Sequence, residues 1–131
     1  MNRSHEYALV LLQKARDDLY VLERLATDAN VPTWSMGFHA QQAAEKSLKA
    51  VLTAKSVDFP RTHNLALLLD LLSGQNLPLP PDSQDLPQLT PYGATLRYDL
   101  APEGDVEQAF DRTHAAEMVR RTIAWAQGML A

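Results

Sequence analysis

A chain of 131 residues, 46% of them hydrophobic, is long enough to form one domain over residues 1–131 whose core needs no covalent staple. It has no cysteine, which excludes disulfides, thiolate metal sites and a cysteine nucleophile. A formal net charge of −4 excludes a protein that coats nucleic acid by bulk charge, so any polyanion site must be local.

The first helix is expected over residues 4 to 28, where Ala8, Leu11, Leu12, Ala15, Leu19, Leu22 and Ala26 recur at steps of three and four. Asn30 and Pro32 break it, the proline because it lacks a donor and disfavours helix in the residue before it. Thr33 or Ser35 is the expected cap of a second helix running to Lys55 or Ser56.

This second helix has three faces instead of two. Trp34, Phe38, Leu48 and Leu52 fall on one line, with Gln41 and Glu45 set among them. Ala40, Ala43, Ala44, Ser47, Val51 and Ala54 make a second line of small groups that lets another helix approach closely. His39, Gln42, Lys46 and Lys49 form the third. A helix with two apolar neighbours belongs inside a bundle.

Beyond a turn at Pro60, Thr62 is the expected cap of a short helix, Asn64 to Leu72, whose six leucines leave almost no polar face. Gly74 is the expected stop, followed by an extended loop from Leu77 to Pro81. Thr90-Pro91 reads as a cap with proline at the first helical position, so a fourth helix is expected over Pro91 to Asp99. Asp105 is the expected cap of the last helix, in which Ala109, Arg112, Ala116, Val119, Ile123, Ala126 and Leu130 form a seam for antiparallel packing. No segment alternates long enough to suggest a strand. The fold class that follows is all-α: an up-and-down antiparallel bundle of four long helices plus one short helix.

The first thirty residues carry charges throughout, and no apolar run approaches the roughly 20 residues of a membrane span, so no membrane is implied and a cytoplasmic location is expected. The histidines at 5, 39, 63 and 114 lack a zinc-ligand spacing, and no Glu-x-x-His pair accompanies Asp17, Asp18 or the acids around Asp105. Neither a metal nor a cofactor is expected.

The string FHAQQAAEKSLKAVL, then Thr62-His63-Asn64-Leu65 opening a leucine-rich helix, then Tyr92 to Tyr98 ending in Leu96-Arg97-Tyr98-Asp99, resembles the HEPN domain family. The resemblance covers most of the chain in the right order, and the helix-two string is its specific part. It implies a helical bundle that is usually dimeric. It also implies nucleotide or RNA association and a small nucleotidyltransferase as partner in a toxin–antitoxin-like pair. Other branches of that family are metal-independent ribonucleases built on an arginine followed, after four to six residues, by a histidine. None of the arginines here, at 3, 16, 24, 61, 97, 112, 120 and 121, has a histidine at that distance. The expectation is therefore a partner protein without catalysis of its own. The alternatives are a ribonuclease with a non-standard site and a ligand-free interaction module.

Three groups of residues are candidates for chemistry. His39, Gln42, Lys46 and Lys49, with Arg61 and His63 beyond the same helix, have the donors and positive charge to hold an anion such as a nucleotide phosphate; solvated lysines are the bland alternative. Tyr92, Arg97 and Tyr98 combine a guanidinium with rings able to stack on a base. Gln41 and Glu45, on an apolar line, require a buried polar network, and Arg112 is the expected partner of Glu45 with Arg97 second. A homodimer is expected because Phe110, Met118, Trp125 and Met129 fall outside the last helix's seam and because helix two has an alanine face.

Overall fold

Three long helices make the frame, and each is where the apolar period lasts longest. The computed structural model describes residues 3–93 and 110–131. α1 spans Arg3–Leu25, α2 Thr33–Ala54, α3 Leu65–Gly74, a 3-10 turn Leu86–Leu89, α4 Thr90–Gly93 and α5 Arg112–Leu130. The described residues contain no strand, as the all-α reading requires. The four-residue α4 overlaps the start of the expected fourth helix; positions 94–99 and the Asp105 cap lie outside the described residues.

α1 and α2 pack along most of their lengths, and α5 packs on both. Cross-helix contacts give the direction of α5: Arg112 reaches the turn after α1, Arg120 pairs with Glu23, and Gln127 lies beside Arg16, so α5 runs antiparallel to α1. α2 is the interior strut. Ala43 and Ala44 are 0% exposed, and Ala40, Ser47, Leu48, Val51 and Leu52 are buried with them. Trp34 departs from its expected line; it is 46% exposed in the first turn, before the helix has entered the bundle.

The helix ends correct several expectations. α2 starts after Pro32 with no side-chain cap, because proline itself sets the extended residue before the first turn. Asn64, not Thr62, caps α3 by accepting from the Leu67 amide at 3.2 Å, while Thr62 accepts from the Asn64 amide at 3.0 Å. Thr90 does not cap its own helix but accepts from the Leu65 amide at 3.2 Å, tying the start of α4 to the start of α3. Gly74 is helical, and the stop comes at Asn76, which takes the left-handed conformation with φ 56°. The Leu77 amide then bonds back to the Leu72 carbonyl at 3.1 Å, a Schellman closure. α2 ends in the same way at Ser56, φ 58°. α3 is buried on one face only; Leu67 and Leu71 are half-buried. α5 begins at Arg112, capped by Asp111, which accepts from the His114 amide at 3.0 Å.

The residues advanced for a dimer surface find neighbours within the chain. The alanines of α2 face α1 and α5, Met118 is in the core, Phe110 packs edge-on against Tyr92, and Trp125 donates to the Pro78 carbonyl at 3.1 Å. Their extra apolar surface is absorbed by the loop after α3 and by Tyr92.

Candidate functional site

Two buried carboxylates organise the polar side of α2. Glu45 lies within α2 itself, 5% exposed, and Asp18 projects from α1 toward α2 and is also buried. Each meets one lysine and one histidine. Asp18 accepts from Lys46 Nζ at 2.6 Å and faces His39 Nδ1 at 3.0 Å. Glu45 accepts from Lys49 Nζ at 2.9 Å and faces His63 Nδ1 at 2.7 Å. The lysines come from within α2 because one helical turn places Lys49 above Glu45, whereas Lys46 points across to α1.

A chain of amides completes the Glu45 cluster. Gln42 donates to Gln41 at 2.8 Å, and Gln41 donates to Glu45 at 2.9 Å and to the His63 carbonyl at 3.1 Å. Burial by itself pushes the Glu45 carboxyl upward, but the hydrogen bonds from Gln41, Lys49 and His63 together outweigh it and hold its pKa below the ordinary value. Every buried side-chain nitrogen and oxygen among the described residues has a partner.

The geometry also sets what the histidines present. In a neutral ring, the tautomer that donates from Nδ1 to the carboxylate leaves the Nε2 lone pair outward. His63 is 55% exposed, so that nitrogen is open to solvent; His39 is more enclosed. An acid–histidine pair of this kind can accept a proton or a hydrogen bond. Among the described residues no three His, Asp or Glu come together as a metal site.

Of the expected anion-binding residues, the structure brings His39, Gln42, Lys46, Lys49 and His63 onto one side of α2, but their charge is turned inward onto Asp18 and Glu45. Arg61 is exposed in the turn before α3. Tyr92 is buried, and its ring fills the space that a side chain on Gly37 would need. Arg97 and Tyr98 lie outside the described residues. Arg112 does not meet Glu45. It donates to the Asp28 and Val31 carbonyls at 3.0 and 2.6 Å, because its place in the first turn of α5 sets it against the connection between α1 and α2. His114 turns away from it toward Asp85, 3.5 Å distant.

Asp18 is the network residue that sequence reasoning missed. Its signal was present: Ala8, Leu11, Ala15, Asp18 and Leu22 alternate steps of three and four, which puts an acid on the apolar stripe of α1.

A family model described as HEPN domain matches residues 8–126. No curated protein and no solved structure matches the chain.

Proposed function

This chain belongs to the HEPN domain family, and from that premise we propose that it acts as a nucleotide- or RNA-associated partner of a small nucleotidyltransferase, in a toxin–antitoxin-like pair, without catalysis of its own. The partner and ligand parts of this reading rest on the family, and the observation that supports the want of catalysis is the state of the α2 lysines. Lys46 and Lys49 are each held on a buried carboxylate, so the face is close to neutral and projects little field toward a phosphate. A self-sufficient ribonuclease needs cations free to meet the charge that develops on phosphorus. What the face does offer is hydrogen-bonding capacity at the α2–α3 turn, from His63 Nε2, Gln42 and the exposed Arg61.

A second reading rests on one specific contact. The Glu45–His63 pair, 2.7 Å apart with the outer ring nitrogen exposed, has the form of a general base and favours metal-independent ribonuclease action at a non-standard site. One experiment separates the two. The purified chain is incubated with single-stranded RNA in excess chelator, and separately co-expressed with the nucleotidyltransferase encoded nearest to it. Intact RNA and a co-eluting complex are expected. Chelator-resistant cleavage that disappears in His63→Ala would overturn the first reading in favour of the second.

A further inference from the structure

α1 carries a second stripe on the side away from the core. Arg3, Tyr7, Val10, Lys14, Asp17, Val21 and Arg24 alternate steps of four and three through the whole helix, which is the spacing of a helix–helix seam. The core stripe, Ala8, Leu11, Ala15, Asp18 and Leu22, already faces α2 and α5, so this one is surplus to the fold. Tyr7 is 56% exposed and Val10 48%; Lys14, Asp17 and Arg24 are exposed and Val21 is half-buried. Glu6, Gln13 and Tyr20 flank the stripe on its outer side.

The stripe is complementary to itself when reversed. Two copies of α1 laid antiparallel about a two-fold axis between Ala15 and Arg16 set Lys14 of one opposite Asp17 of the other. Val10 then meets Val21, and Tyr7 meets Arg24. Each pairing occurs twice, as an isologous contact requires. Competing arrangements are worse. A parallel pair sets Lys14 on Lys14, Asp17 on Asp17 and Arg24 on Arg24. An antiparallel pair slid by a heptad one way opposes Lys14 to Arg24; slid the other way it sets Val10 against Lys14 and Tyr7 against Asp17. Only the centred antiparallel register matches opposite charges and keeps the valines together, and specificity of this kind comes from the penalties on the alternatives.

We propose that the outer stripe of α1 is the interface of a two-fold, antiparallel homodimer. This assignment is independent of the functional reading above, and it moves the contact away from the α2 alanines and the last helix. Arg24 lies over its own Tyr20 ring at 4.8 Å, which holds the guanidinium on this face, where the second copy's Tyr7 arrives as a further aromatic partner.

Light scattering tests it on the intact chain. A mass of twice the 14.6 kDa protomer is expected at micromolar concentrations. Lys14→Glu alone and Asp17→Lys alone each weaken the dimer by about tenfold, because each reversal acts twice across the axis, and the two together restore it. Both positions are exposed, so circular dichroism of the single variants stays that of the parent. The chain has no cysteine, which permits a second measurement. Val10→Cys with Val21→Cys yields an oxidised dimer, whereas neither single cysteine does. A protomer mass at every concentration overturns the proposal. Cross-linking by either single cysteine, or indifference to the charge reversals, overturns it as well.

Discussion

Removal of the Glu45 carboxylate isolates three donors at once, and its cost follows from where each donor can go. Deleting one partner of a buried ion pair typically costs about 3–5 kcal/mol, because the other charge is left without compensation. Here the donors are not sealed in: the Lys49 side chain is 15% exposed and that of His63 55%, so both recover part of their hydration. Gln41 keeps its bond to the His63 carbonyl. Discounting for that escape leaves about 2 kcal/mol for Glu45→Ala. In a domain of this size that lowers the melting temperature by roughly 6–8 °C, measurable by circular dichroism. A fall of less than about 2 °C would refute the claim that this network holds α2 to the α3 turn. The pH dependence gives an independent check through the near-isosteric Glu45→Gln. Because the folded carboxyl has its pKa lowered from the ordinary 4.5, its stabilisation is fully present above that value and is lost as pH falls through the lower folded one. The gap in urea midpoint between parent and Glu45→Gln is therefore constant near neutrality and shrinks in acid. A gap that widens in acid would reverse the assignment.

Two further substitutions probe packing and turn geometry. Gly37→Ala drives a methyl into the Tyr92 ring and is expected to cost about 1–3 kcal/mol, whereas Gly74→Ala, with nothing within 4 Å of its Cβ, is expected to raise the melting temperature slightly. Arg112→Ala frees the Asp28 and Val31 carbonyls and is expected to cost about 1–2 kcal/mol by chemical denaturation. Arg112→Lys should recover little, since a single ammonium does not reproduce the planar fork that spans two carbonyls.

The helices and their buried faces were legible because helical periodicity is local. Ala40, Ala43, Ala44, Ser47 and Val51 could be placed together from spacing alone, and so could the demand that buried Gln41 and Glu45 be met by something polar. The partners were harder, because they depend on how one helix slides past another. Lys46 reads as a solvated lysine until the register of α1 puts Asp18 beneath it. Arg112 reads as a core arginine until the start of α5 is known to abut the α1–α2 connection. Helix ends failed for a different reason: Pro32, Asn64 and Asn76 compete with equally suitable neighbours, Thr33, Thr62 and Gly74, and only the path of the incoming chain decides between them. His63 joins the site because the α2–α3 turn folds back onto Glu45, a tertiary fact with no periodic trace.

The contact between Tyr92 and Phe110, with ring centroids 5.2 Å apart, fastens the chain just before residue 94 to the chain just after residue 109. That aromatic pair is seated on α2, where the Tyr92 ring packs over Gly37. The one turn of α2 without a side chain is therefore the seat on which the start of α4 and the residue just ahead of the Asp111 cap meet, so that a single glycine keeps two chain segments distant in sequence in register.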